Sequence, residues 1–295
     1  FAERGIAFFS YNKRGVTMGD TPPWFDEVDR EAFRTVVPKV EADDLGTIVA
    51  ALKSRDALRE ARVMLLGMSA GAIIAALAAE RHPTLIDAIM LAGYCHENIY
   101  DVIAYQFQGH GSMLLIGPEF DSDGDGRISR AEYESDDERV ARYRERVMQN
   151  APFDLLDATA DGALEAADFA IRQKPMHDML LSCVETNNEE WIWNNYFRIS
   201  VPWLREHFAL EPNKTRLLRM NLPIFIFHGE HDAHVDARNV ADLERRFKVL
   251  GKTNLTARVF DDHDHDLNFI QWVTAGEVSE GITAILDTAA AFDAV

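Results

Sequence analysis

Val63-Met-Leu-Leu-Gly67-Met68-Ser69-Ala70-Gly71-Ala-Ile-Ile-Ala-Ala-Leu-Ala-Ala-Glu-Arg-His82 decides the fold. The first five residues are a short apolar run without polar alternation, as expected of a parallel strand buried on both faces. The alanine-rich run that follows predicts a helix packed on all sides. Between them Gly67-Met68-Ser69-Ala70-Gly71 has the spacing of a tight strand-to-helix turn, in which the glycines permit close packing and the serine hydroxyl is pushed above the sheet. Ser69 is therefore a candidate nucleophile. The plainer alternative is a glycine-tolerant turn with no chemistry.

A serine nucleophile needs a base, and the base needs an orienting acid. Downstream, Leu222 to His228 reads as a second buried strand and runs into Gly229-Glu230-His231-Asp232-Ala233-His234-Val235. Asp232 stands just past the strand end, with Glu230 two residues away as a competing acid. Thr256 to Phe260 forms a short β-rich run that leads into Asp261-Asp262-His263-Asp264-His265-Asp266-Leu267. His265 lies 33 residues after Asp232, room for one helix (236–250) and one strand. His263 is the rival base.

At these residues the chain resembles the α/β-hydrolase superfamily, particularly its esterase-like and peptidase-like members. The likeness covers residues 1–97, about 190–235 and 255–295. It extends to Tyr11-Asn12-Lys13-Arg14-Gly15 after a strand, to Pro202-Trp203-Leu204-Arg205 with Glu211-Pro212, and to Asp264-His265-Asp266-Leu267. The resemblance implies Ser69 as nucleophile, Asp232 as acid and His265 as base, with the backbone N–H of Ala70 as the one oxyanion donor the chain offers. It also implies a departure. Phe1 to Ser10 reads as a helix end running into the superfamily's fourth strand, so the first three strands have no counterpart. Either the chain is the C-terminal portion of a longer protein, the favoured reading, or the sheet closes up with strands 6–10 and 63–67 side by side.

A different signature lies between the two halves. Residues 121–132 read Asp-Ser-Asp-Gly-Asp-Gly-Arg-Ile-Ser-Arg-Ala-Glu and fit the twelve-residue loop of an EF-hand. Asp121, Asp123 and Asp125 take positions 1, 3 and 5, and Gly126 takes the sharp turn at position 6. Arg127 offers its carbonyl at 7, Ser129 a water-mediated contact at 9, and Glu132 both oxygens at 12. A partner loop begins 36 residues later with Asp157, Thr159 and Asp161, then Gly162, Ala163, Glu165 and Asp168. Its neutral Thr159 and short Asp168 predict weaker calcium binding, or a structural hand that braces the first. Ile128 and Leu164 sit at the apolar position 8 of each loop, where paired hands meet. Gly117-Pro118 and Pro152 predict short entering helices, hence loop-plus-exit-helix units that brace rather than swing open.

The whole chain of 295 residues, 47% apolar, has enough hydrophobic content for one large core or two smaller ones. A net charge of −19 argues against nucleic acid and anionic membrane surfaces as partners. Residues 119–168 hold 15 acidic against 6 basic side chains, a local balance of −9 that bound calcium would partly neutralise. No run is long enough for a membrane span. Cys95 and Cys183 do not make a disulfide framework. No signal peptide is visible, but the chain begins at Phe1 without a Met, as a chain with its leader removed would, so the compartment stays open, extracytoplasmic or secreted locations included. His228, His231 and His234, with His263 and His265 nearby, offer imidazoles to zinc, but on a strand end and loop without an H-E-x-x-H pattern.

The expectation is an α/β fold: an α/β-hydrolase parallel sheet flanked by helices, from residues 1–97 and 216–295, with a helical cap at 98–215 that carries the paired calcium loops at about 119–170. The expected activity is hydrolysis of a small-molecule carboxylic ester, with calcium shaping the cap. A peptidase that holds a free amine on Glu185, Glu189 or Glu190 is one alternative. A calcium-binding interaction protein on an inactive scaffold is the other.

Overall fold

The computed structural model describes residues 1–18 and 25–293. Short antiparallel strands β1 (Val16–Met18) and β2 (Phe25–Val28) form a hairpin away from the main sheet. The main sheet has four parallel strands in the order β3 (Met64–Met68), β4 (Ala88–Ala92), β7 (Ile224–Gly229), β8 (Leu255–Phe260). Strand β4 is Ala-Ile-Met-Leu-Ala and buried at every residue, as a central parallel strand covered on both faces must be.

One face packs against the helices Pro38–Lys53 and Ala70–Arg81. Eight consecutive residues of the second, Ala72 to Ala79, are buried, because this helix lies between the sheet and its neighbour and needs no polar side. Small residues set the spacing: a Cβ on Gly46 would fall 2.5 Å from the His82 ring. The other face is covered by the helix Glu280–Asp293 together with Phe1 and Ile6.

The front of the chain departs from the expectation. Residues 6–10 form no strand, and β3 is an edge of the sheet rather than a neighbour of that segment. The run Ile6-Ala-Phe-Phe-Ser has strand composition, but only Ile6 finds a partly buried place and Phe8 and Phe9 stay exposed. Phe1 and Ile6 pack under the last helix, and the Phe1 and Phe8 rings stack at 4.9 Å. Leu66 and Met68 on β3 consequently remain 40% exposed.

Between β4 and β7 the chain forms a mostly helical insertion with its own apolar cluster, centred on Phe120, Ile128, Tyr133, Phe153 and Leu164. Strands β5 (Ile128–Ser129) and β6 (Ala163–Leu164) pair antiparallel, with Ile128 opposite Leu164 and both fully buried. The two loops are flanked unequally. The first is entered by an eleven-residue helix, His110–Phe120, and left by the four-residue helix Arg130–Tyr133. The second is entered by Phe153–Leu156 and left by the long helix Ala166–Thr186. The loop-plus-exit-helix form thus describes the second loop and not the first. Pro118 sits in the final turn, where it forfeits one i→i−4 hydrogen bond but comes too late to shorten the entering helix. Among the described residues no helix is long and apolar enough to cross a membrane.

Candidate active site

Ser69 sits at the junction of β3 and its helix with φ 54 and ψ −124, a strained conformation for a non-glycine residue. Neighbouring bonds hold it there. Its N–H donates to the Ala92 carbonyl of β4 at 2.9 Å, and its carbonyl accepts the Ala72 N–H at 2.8 Å. Gly67 is required, since a Cβ there would lie 2.2 Å from the Gly71 carbonyl oxygen. Gly71 itself faces open space.

Asp232 and His265 come from the loops after β7 and β8, which parallel pairing brings side by side. His265 Nδ1 lies 2.7 Å from Asp232 Oδ2. The other carboxylate oxygen accepts the N–H groups of His234 and Val235 at 2.8 and 2.9 Å. Asp232 is 1% exposed. Burial works against its charge, but the hydrogen bond and charge of His265, with smaller help from the Val235 N–H, leave its carboxyl below the usual range. Burial likewise opposes protonation of His265, yet the bond to Asp232, its charge, and Asp266 and Asp264 raise the imidazole above its ordinary value. His265 also borders β4, because a Cβ on Gly93 would meet its ring at 2.8 Å. Ser69 and His265 therefore flank the same Ala92–Gly93 segment. Among the described residues no hydrogen bond joins the Ser69 hydroxyl to that ring. A serine at a strained turn and a buried Asp–His pair at neighbouring strand ends are an arrangement capable of acyl transfer.

The model of the alpha/beta hydrolase fold family matches residues 1–270. The chain belongs to that family. Solved structures similar to this α/β-hydrolase-fold protein include a thermostable carboxyl esterase from Bacillus coagulans, at 16% identity and TM-score 0.44, over 86% of this chain and 73% of that one. A carboxylesterase of Nitrososphaera gargenis is 15% identical at TM-score 0.44, over 97% and 79% of the two chains. A monoacylglycerol lipase of Paleococcus ferrophilus is 13% identical at TM-score 0.38, over 85% and 75%. No curated protein matches the chain.

Within the α/β-hydrolase frame, the competing acids and bases separate. His263 is turned inward: its Nδ1 lies 2.7 Å from the Asp261 carbonyl and its Nε2 accepts the Gly281 N–H at 3.2 Å, so it braces the last helix. Glu230 is exposed and lies near His231, at 3.9 Å, rather than in contact with His265. The three spaced histidines do not converge. His228 is buried beside Asp232, His231 is half-exposed near Glu230 and Asp262, and His234 packs on the His265 ring at 4.8 Å. Two of the carboxylates considered for a free amine are already paired, Glu189 with Arg34 at 3.3 Å and Glu190 with Arg30 at 2.8 Å. Cys95, near Ser69, is an unreactive thiol: burial and the Asp232 charge push it up to about 12 against the pull of the Ser69 hydroxyl.

Three features of the site were not read from the sequence. Gly93 and Gly229 are needed for close approach, and a Cβ on Gly229 would fall 2.2 Å from the Asp264 carbonyl oxygen. A glycine at the end of one strand and directly after the other was the available signal. The third is the setting of His228, whose partner Tyr94 is 134 residues away in sequence.

In the first acidic loop Asp121, Asp123 and Glu132 bring carboxylate oxygens within 4.8 Å of one another, the one such group among the described residues. Gly126 has φ 83 and donates its N–H to Asp121 Oδ2 at 2.9 Å. Asp125 is turned to accept the Arg127 N–H at 2.8 Å. Burial opposes the Glu132 charge, but N–H and O–H donors from Ser129 and Ser122 hold its carboxyl down at about 2. The second loop is closed on itself. Gly162 has φ 91 and donates to Asp157, while the buried Asp168 accepts from the Thr159 N–H at 2.9 Å and the Glu165 N–H at 2.8 Å. The Arg127 guanidinium reaches across to Asp161 at 2.7 Å and approaches Glu165 at 3.7 Å. Ala163 donates its N–H to Asp161 in the same loop, at 3.1 Å.

Proposed function

We propose that this protein hydrolyses small carboxylic esters by acyl transfer through Ser69. The observation that carries the reading is the buried 2.7 Å contact of His265 Nδ1 with Asp232 Oδ2, set beside a serine at a strained strand-to-helix turn. His265 Nε2 takes the hydroxyl proton as Ser69 Oγ adds to the ester carbonyl. Asp232 holds the imidazole with Nδ1 protonated and stabilises the imidazolium. The Ala70 N–H, the first orphan donor of its helix, faces the oxyanion. The same imidazolium returns its proton to the departing alkoxide, and water repeats the sequence to release the acid.

The first loop is read as a calcium site. Three converging carboxylates and a left-handed glycine at the sixth position suit a hard divalent cation that takes oxygen ligands. Asp121, Asp123 and Glu132 would hold the ion, with the Asp125 side chain, the Arg127 carbonyl and a Ser129-bound water in reach by sequence position. Asp157, Thr159, Asp161 and Asp168 form the weaker partner, with Ala163 and Glu165 at its seventh and ninth positions. When bound, the ion supplies structure and no chemistry, neutralising the loop and fixing the insertion beside the catalytic strand ends.

Labelling by a fluorophosphonate tests the catalytic assignment. Folded protein is expected to label at Ser69 and to release p-nitrophenol from its acetate ester, and Ser69→Ala is expected to do neither. Equal labelling of wild type and Ser69→Ala would overturn the assignment.

A further inference from the structure

His228 is fully buried and belongs to β7, four residues before the acid. Its Nδ1 accepts the backbone N–H of Tyr94 at 3.0 Å. A backbone amide can only donate there, so Nδ1 carries no proton and the ring is the neutral tautomer with hydrogen on Nε2. That N–H faces the Val235 carbonyl at 3.2 Å, and Asp232 Oδ2 lies at the same distance from the same nitrogen. This oxygen is the one that contacts His265. Protonating His228 would set an Nδ1–H against the Tyr94 N–H inside the protein. Burial, the largest influence on it, also disfavours the charged ring.

The arrangement closes a ring of contacts. Tyr94 follows Gly93, which borders His265. Val235 ends the acid loop, and its N–H clamps the far oxygen of Asp232. We propose that His228 is a positioning residue: a permanently neutral imidazole that pins the acid loop to the β4 loop and thereby fixes the Asp232 carboxylate for His265. The inference rests on the esterase reading. It goes further by giving a second histidine a defined role with a defined tautomer.

The charged and titratable groups around this cluster are His265, His234, Asp236, Asp264, Asp266 and Cys95, and the variants below leave all of them in place. His228→Phe keeps the ring shape and removes both polar contacts. His228→Gln can restore a donor toward Val235. Turnover is counted per site titrated with fluorophosphonate, so a loss of folded protein does not register as a loss of rate. His228→Phe is expected to lower kcat about 10- to 100-fold with KM within about twofold, the scale of a catalytic group misplaced by up to an ångström. Its acid-limb pKa in kcat/KM is expected to fall toward the ordinary imidazole value, because the Asp232 contact that raises it loosens. His228→Gln is expected to recover most of both. Nitrogen NMR of the wild type supplies a readout apart from activity, with one protonated and one unprotonated His228 nitrogen unchanged from pH 5 to 8. Unchanged kcat and acid limb in His228→Phe, or a His228 that titrates in that range, would overturn the proposal alone. Failure of wild type to label at Ser69 would remove the esterase reading and the role of His228 with it.

Discussion

Gly93→Ala separates the cost of a backbone conformation from the cost of moving the base. Gly93 has φ 53, a region in which alanine is disfavoured by about 1–2 kcal/mol. An alanine Cβ there would also lie 2.8 Å from His265 Cε1, 3.0 Å from Nδ1 and 3.1 Å from the His265 carbonyl oxygen. Carbon and nitrogen at van der Waals contact sit at about 3.5 Å or more, so the ring must retreat by roughly half an ångström. It cannot retreat freely, because Nδ1 is 2.7 Å from Asp232 and the carboxylate is held on its other side by two amides. Displacement on that scale, at a base whose rate depends on alignment, is expected to lower kcat/KM about 10- to 100-fold.

Gly251→Ala is the control. Gly251 has φ 65, so alanine meets a comparable backbone penalty, yet nothing lies within 4 Å of its Cβ position at the end of the helix Arg238–Val249. Both variants are expected to melt about 2–4 °C lower for each kcal/mol lost. Only Gly93→Ala is expected to lose turnover and fluorophosphonate labelling rate. If the two variants hydrolyse p-nitrophenyl acetate within twofold of one another, His265 does not stand where the reasoning needs it.

Other outcomes follow from the same contacts. Because Asp232 raises His265, kcat/KM is expected to climb with pH through an apparent pKa above the ordinary imidazole value, and Asp232→Asn should move that limb downward. In stability, the raised His265 contributes fully below the unfolded imidazole pKa and loses its contribution as pH rises through the folded value. The lowered Asp232 contributes above the unfolded carboxylate pKa and loses it as pH falls through the folded value, and urea melts of His265→Gln and Asp232→Asn across pH check both signs. Calcium at about 100 times its dissociation constant is expected to stabilise the protein by about 2.7 kcal/mol, read as a higher Tm. Glu132→Gln should abolish that shift while Asp161→Asn retains most of it. Ile128→Ala removes a fully buried side chain from the second core and should cost about 2–5 kcal/mol, visible as faster amide exchange across 110–170.

What was legible in the sequence is what depends on near neighbours. The Ser69 turn is specified within five residues, and the two acidic loops within twelve each. The left-handed glycines 126 and 162 stand where spacing alone put them. Asp232 and His265 were readable because parallel strands must deliver their C-terminal ends to one edge of the sheet. Pairing over distance was not readable. Ile6 to Ser10 has the side chains of a strand, but strands exist only with partners; instead Ile6 packs under the last helix, Phe8 stacks on Phe1 and Phe9 stays exposed. The alternation Asp-His-Asp-His-Asp at 262–266 could not choose its base either. The choice comes from Gly281, which occupies His263, and from Asp232, which occupies His265.

The two signatures that seemed to belong to different proteins meet through one helix. His110–Phe120 ends at Asp121, the first residue of the first acidic loop, whose N–H caps it on Gly117. At its other end Gly111 lies against Ala233, the residue after the acid, so closely that a Cβ would fall 2.7 Å from the Ala233 carbonyl oxygen. Nearby, Gln106 donates to the His234 carbonyl at 3.4 Å. Eleven helical residues span about 16 Å, and a cavity of about 720 Å³ beside the helix is lined by Asp121 and Gly126 of the loop together with Glu230, His231, Asp232 and Asp236. The helix thus joins the first loop to the acid loop by a direct packing contact at Ala233. If the first loop binds calcium and the ion acts along this helix, calcium is expected to change kcat and its acid limb more than KM, which pH–rate profiles with and without calcium would check.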